Sequence, residues 1–140
     1  MEAKAWYLSA AILLFGSAGP AAAHHSFAMF DRDKTVELQG TVKSFQWTNP
    51  HSFLDVYVDE PKGEGPVLWT LEFGAVHNLA NQGWKPKTVV PGDKVLLTLH
   101  PAKNGGPYGQ GLTVTLPNGT VMQAIQGVLP SEVGKPDPNP

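Results

Sequence analysis

The segment from about Thr35 to Trp47 constrains this chain most. Val36, Leu38, Gly40 and Val42 alternate with polar residues, and the apolar phase then slips by one to continue at Phe45 and Trp47. Alternation of period two is the mark of a β-strand with one buried face. A one-residue slip would turn the second half of that strand inside out, so an inserted residue, a β-bulge, must restore the facing. Gly40 offers a place to bend. A long, bulged, bent strand is what a small barrel uses to serve two sheets at once.

The rest of the chain is cut into short pieces by its 15 Gly and 13 Pro. A second strand is expected over His51–Asp59, with Leu54, Val56 and Val58 on one face. Pro61–Pro66 reads as a turn. A third strand, Val67–Phe73, sends Val67, Trp69, Leu71 and Phe73 one way and Thr70 and Glu72 the other. Gly74–Gln82 has helical spacing at Ala75, Val76, Leu79 and Ala80, with Gly83 where a left-handed C-terminal cap belongs. A fourth strand follows over Lys94–His100, then a Gly-rich loop over Pro101–Pro107. Strands over Gly111–Leu116 and Thr120–Gln126 flank Asn118-Gly119, a strong hairpin signal. Three strands in a meander, a short helix, then two or three strands is the order of an all-β, OB-like barrel of five to six strands, with one helix between strands 3 and 4. A plain β-sandwich shares this order of elements.

The ends carry a different signal. Residues 1–23 combine one Lys near the terminus, an apolar run over Ala5–Phe15, the breakers Gly16, Gly19 and Pro20, and the small residues Ala21-Ala22-Ala23. This is the layout of a secretory signal peptide, and the run is too short to span a bilayer. Residues 24–129 then form one barrel domain, and the Pro-rich residues 130–140 form a disordered tail with almost nothing apolar to bury. The expected destination is the periplasm or the exterior, with no membrane anchor after cleavage. No cysteine is present, which excludes disulfides, thiolate metal sites and c-type haem. A net charge of −2 leaves no basic excess to neutralise phosphates, so nucleic acid is not an expected partner.

Chemistry concentrates in five histidines: His24, His25, His51, His77 and His100. In an OB-like barrel, His51 leaves the loop between strands 1 and 2, His100 enters the loop between strands 4 and 5, and His77 lies at the exit of strand 3. All three belong to one rim. Cleavage after Ala23 makes His24 the new terminus, with an amine and an imidazole able to chelate one ion. Cleavage after Ala22 gives Ala-His-His instead. Either nitrogen set suits Cu(II). Asp55 and Glu72 read as solvated faces of their strands, and no Gly-x-Ser-x-Gly elbow supports Ser26 as a nucleophile. Trp69, Phe73 and Trp84 read as barrel filling, whereas Trp47, at the loop mouth, goes to the ligand side. Asn118-Gly119-Thr120 matches a glycosylation sequon but reads as a turn.

Taken together, His24-His25-Ser26-Phe27, Phe30-Asp31, Leu38-Gln39-Gly40-Thr41-Val42 and Trp47-Thr48-Asn49-Pro50-His51 resemble a family of small exported bacterial proteins of unknown function. The agreement continues through Trp69-Thr70-Leu71-Glu72, Asn78-Leu79, Gly83-Trp84, Pro91-Gly92-Asp93 and Thr115-Leu116-Pro117-Asn118-Gly119, over about residues 24–122. The resemblance implies export and one small β-rich domain, and no activity. Separately, a terminal His24 is similar to the terminal histidine of copper-binding periplasmic proteins and copper monooxygenases.

Three functions follow as expectations. The first is a periplasmic protein that holds or passes Cu(II) through His24 and His25, with His51 as the foremost barrel ligand and His77 and His100 as further candidates. The second is a non-enzymatic binding module for a peptide, a glycan or another envelope protein, using Trp47 and Tyr57. The third is copper oxygen chemistry, which needs a substrate surface that no motif marks.

Overall fold

The computed structural model describes residues 27–59 and 65–125. The expected signal peptide, His24, His25 and the Pro-rich residues 130–140 fall outside those residues. A 3-10 turn, Phe27–Met29, precedes strand β1 (Val36–Gln46), β2 (Phe53–Asp59) and β3 (Pro66–Glu72). Helix α1 (Val76–Asn81) follows, then β4 (Lys94–Pro101), β5 (Tyr108–Thr115) and β6 (Val121–Gln123).

The strands lie in the order β3-β2-β1-β4-β5-β6, and β5 also pairs with β3. That last pairing is parallel and joins Thr70 to Tyr108, Leu71 to Gly109 and Glu72 to Gln110. It closes the five strands β1–β5 into a barrel of OB type, with β6 as an additional strand on β5. The expected barrel and its helix between β3 and β4 are both present.

The phase slip in β1 has the expected cause. Val42 faces Val56 and Ser44 faces Asp55, so Lys43 is the inserted residue. Gly40 is where β1 changes partners, because it pairs with Val58 of β2 and with Val95 of β4. A Cβ there would sit 3.0 Å from the Tyr57 carbonyl oxygen, so a side chain would push the two strands apart. Inside the barrel, Leu54, Val56, Leu71, Leu97, Leu99 and Val114 are fully buried. Each alternates with an outward neighbour, as period two requires.

α1 is shorter than its sequence pattern and stops at Gly83, whose φ of +90° provides the left-handed cap. Its start has no side-chain cap of its own. Asn49, from the β1–β2 loop, accepts a hydrogen bond from the Val76 amide at 3.1 Å and satisfies one of the free amides. The helix and that loop are thereby tied at one end of the barrel. Phe45, Phe73 and Trp84 fill the same end, with ring centroids 5.4–5.9 Å apart.

Strand ends differ from the sequence pattern by one or two residues in β1–β4 and by up to three in β5 and β6. β5 begins at Tyr108 instead of Gly111, because Tyr108–Gln110 gain partners on β3. β6 is described over Val121–Gln123 alone, paired with Thr113–Thr115. The hairpin between them is as expected: Gly119 has φ +84°, and Asn118 Oδ1 accepts from the Thr120 amide at 2.9 Å.

Candidate functional site

Barrel closure places three polar side chains from three elements against one another. His51 sits in the loop that leads into β2, Glu72 ends β3 and Tyr108 begins β5. Glu72 belongs to the outward set of β3, opposite in phase to the buried Leu71 and Phe73, yet it is only 6% exposed. Its Oε2 accepts a hydrogen bond from the Tyr108 hydroxyl at 2.7 Å. Its Oε1 lies 3.1 Å from His51 Nδ1. Phe30 stacks on the Tyr108 ring at 5.5 Å between centroids and is itself buried. Glu72 is therefore not a solvated strand residue, and the sequence expectation for it is corrected. Burial and the hydrogen bond to Glu72 push the Tyr108 hydroxyl well above the usual phenol range.

The geometry fixes the tautomer of His51. Its Nδ1 faces the Glu72 carboxylate and also the Phe73 carbonyl oxygen, at 3.3 Å. Both groups only accept, so Nδ1 carries the hydrogen and the neutral ring keeps its lone pair on Nε2. The side chain is 32% exposed, which leaves the ring open to solvent on part of its surface. A carboxylate holding Nδ1–H while Nε2 is left to donate is the arrangement found behind metal-ligating histidines. It equally suits a histidine that moves protons.

Of the other predicted histidines, His100 shares a strand row with this group and His77 lies on α1. One row of facing residues runs Gln46, Phe53, Glu72, Gln110 and His100 across four strand pairings. His100 thus shares a row with Glu72, with Gln110 between them. Its Nδ1 lies 2.7 Å from the Lys34 carbonyl oxygen, which again assigns the hydrogen to Nδ1 and the lone pair to Nε2. His77 lies exposed on α1, with Nε2 placed 3.2 Å from the Asn81 amide nitrogen. The side-chain amide donates, so this imidazole spends its Nε2 lone pair inside the helix. Among the described residues, no group of three or more His, Asp or Glu side chains is arranged to hold a metal ion. His24 and His25 lie outside those residues.

Trp47 is partly buried against the core and packs edge-on to Phe45 at 5.8 Å. Tyr57 is 41% exposed on the outer face of β2, with the Lys43 ammonium 5.8 Å from its ring centroid. On the same face Asp55 accepts from Ser44 at 2.8 Å and from Thr70 at 2.7 Å. Glu72, Tyr108 and Gln110 are the site residues that sequence reasoning missed. The one local signal for Glu72 was an acidic residue between two apolar ones at a strand end, Leu71-Glu72-Phe73.

Fold and site together define a small OB-type barrel whose loop histidine is oriented by a buried carboxylate. The chain belongs to a family of unknown function, DUF6152, whose sequence model matches residues 12–112. No curated protein and no solved structure matches it.

Proposed function

We propose that this is an exported, periplasmic protein that holds or passes Cu(II) and catalyses nothing. The amine and imidazole of His24 form the chelate, His25 assists, and His51 supplies a nitrogen from the barrel. The observation that carries this reading is the state of His51: Nδ1–H is held by Glu72 and Phe73, and Nε2 is left as a donor. His100 has the same polarity through Lys34 and ranks second among the barrel candidates. His77 ranks last, since Asn81 already uses its Nε2. An amine, imidazoles and backbone nitrogens make a nitrogen-rich set that favours Cu(II) over other divalent ions.

The test is a calorimetric titration of the protein beginning at His24, beside one with Gly-Ser placed ahead of His24. The native terminus should bind one Cu(II) more tightly than roughly micromolar, about −8 kcal/mol. The extension should weaken binding, because it removes the amine from the chelate. Binding should also weaken as pH falls, since protons compete for the same nitrogens. Equal affinity for the two proteins removes the terminal chelate, and the absence of tight binding to either ends the copper reading.

A further inference from the structure

A groove of about 620 Å³ lies along the part of β1 that precedes the bulge, remote from the aromatic end that α1 covers. Its walls include Glu37, Gln39 and Thr41 of β1, Asp59 at the end of β2, Trp69 of β3 and Lys94 at the start of β4. The volume falls in the range of small-molecule sites. The groove exists because β1 changes partners at Gly40, where β2 is ending and β4 beginning. Glu37, Gln39, Asp59 and Lys94 are exposed, and Thr41 and Trp69 are half-buried, so the walls can be reached from solvent.

The polar groups are of opposed kinds. The carboxylates of Glu37 and Asp59 only accept, the ammonium of Lys94 and the indole N–H of Trp69 only donate, and Gln39 and Thr41 do both. Lys94 Nζ is held across β1 by a 2.6 Å hydrogen bond to Thr41 Oγ1. The buried Nε1 of Trp69 has no acceptor among the described residues, a condition that costs about 1–3 kcal/mol for a buried donor. An anion entering here meets two carboxylates, and an amine meets Lys94. Hydroxyls, each both donor and acceptor and without charge, match the five groups that face solvent, Glu37, Gln39, Thr41, Asp59 and Lys94. The indole supplies the apolar surface against which the C–H face of a sugar ring packs.

We propose that this groove binds a neutral saccharide, independently of any metal held at the other site. Trp69 carries the ring, Asp59 and Glu37 accept from its hydroxyls, and Lys94 donates to them. The experiment uses the mature protein in EDTA, titrated with maltotriose, cellotriose and tri-N-acetylchitotriose and followed by amide and indole NMR shifts. At least one sugar should shift the Trp69 indole resonance together with the amides of Gln39, Thr41 and Asp59. The exposed variants Asp59→Asn, Glu37→Gln and Lys94→Met should each weaken binding by about fivefold or more, the equivalent of one lost hydrogen bond. Because these side chains lie outside the core, the variants keep the test decisive even if Trp69→Ala fails to fold. The proposal is overturned if no sugar shifts these resonances, if the shifts cluster at Tyr57 and Lys43, or if spermine or inorganic phosphate binds the groove more tightly than any of the sugars.

Discussion

The Glu72 carboxylate joins His51 and Tyr108, taking the imidazole Nδ1–H on one oxygen at 3.1 Å and the phenol hydroxyl on the other at 2.7 Å. The two partners are far apart in the chain and come from a loop and a different strand, so one buried carboxylate ties the β1–β2 loop to the seam where β3 meets β5. The same contact orients the histidine and reinforces barrel closure.

Removing that carboxylate should therefore be costly. Glu72→Ala leaves the part-buried Tyr108 hydroxyl without its acceptor and the His51 N–H with the Phe73 carbonyl alone, and the loss should be about 1–3 kcal/mol. Glu72→Gln retains an acceptor oxygen and should lose less. Urea denaturation of the two variants beside the wild type measures the difference, and an Ala variant as stable as the wild type would remove Glu72 from any structural role.

Tyr108 should make the fold sensitive to alkali. Its hydroxyl ionises well above the usual value near 10 because it is buried and donates to Glu72. Between those two values the unfolded chain has released a proton that the folded chain retains. Stability from this group is complete below about pH 10 and is lost as pH rises further. Tyr108→Phe should flatten that decline, as read from thermal midpoints at pH 9, 10 and 11. Equal slopes for both proteins would show that the hydroxyl is not held as described.

Gly111 should tolerate no side chain. A Cβ at this position would run into the Phe73 ring, which packs against Trp84 at the end of the barrel. Gly111→Ala should cost about 1–3 kcal/mol through overpacking, visible as a lower thermal midpoint. Gly119→Ala is a separate case, since nothing lies within 4 Å and the penalty comes from φ +84° alone. An unchanged midpoint for Gly111→Ala would place Phe73 elsewhere.

The three described histidines should differ in copper binding. His51→Ala should lower Cu(II) affinity by about tenfold, or 1.4 kcal/mol. His100→Ala should have a smaller effect and His77→Ala none, following the lone pair that each ring keeps. Calorimetry on the three variants with an unmodified terminus gives the order, and a His77 variant weaker than the His51 variant would reverse it.

What could be read from the chain alone was local. The alternation and one-residue slip in β1, the Gly83 cap and the Asn118-Gly119 turn each depend on residues a few positions apart, and their backbone requirements leave direct marks in residue type. The strand order β1 to β3, helix, then β4 and β5 was legible for the same reason, and it fitted a barrel and a β-sandwich alike until the β3–β5 pairing closed the sheet. The histidines were visible as residues, but the tautomers of His51 and His100 were not. Glu72 shows why. By alternation it belongs on the outer face of β3, and only the parallel pairing with β5 brings Tyr108 and Gln110 beside it. That pairing joins strands separated by α1 and β4, carries no turn signal, and arises only when the whole barrel closes. The burial of a carboxylate, and the hydrogen-bonded imidazole it orients, were decided by tertiary structure because the atoms that exclude water from Glu72 lie in distant parts of the chain.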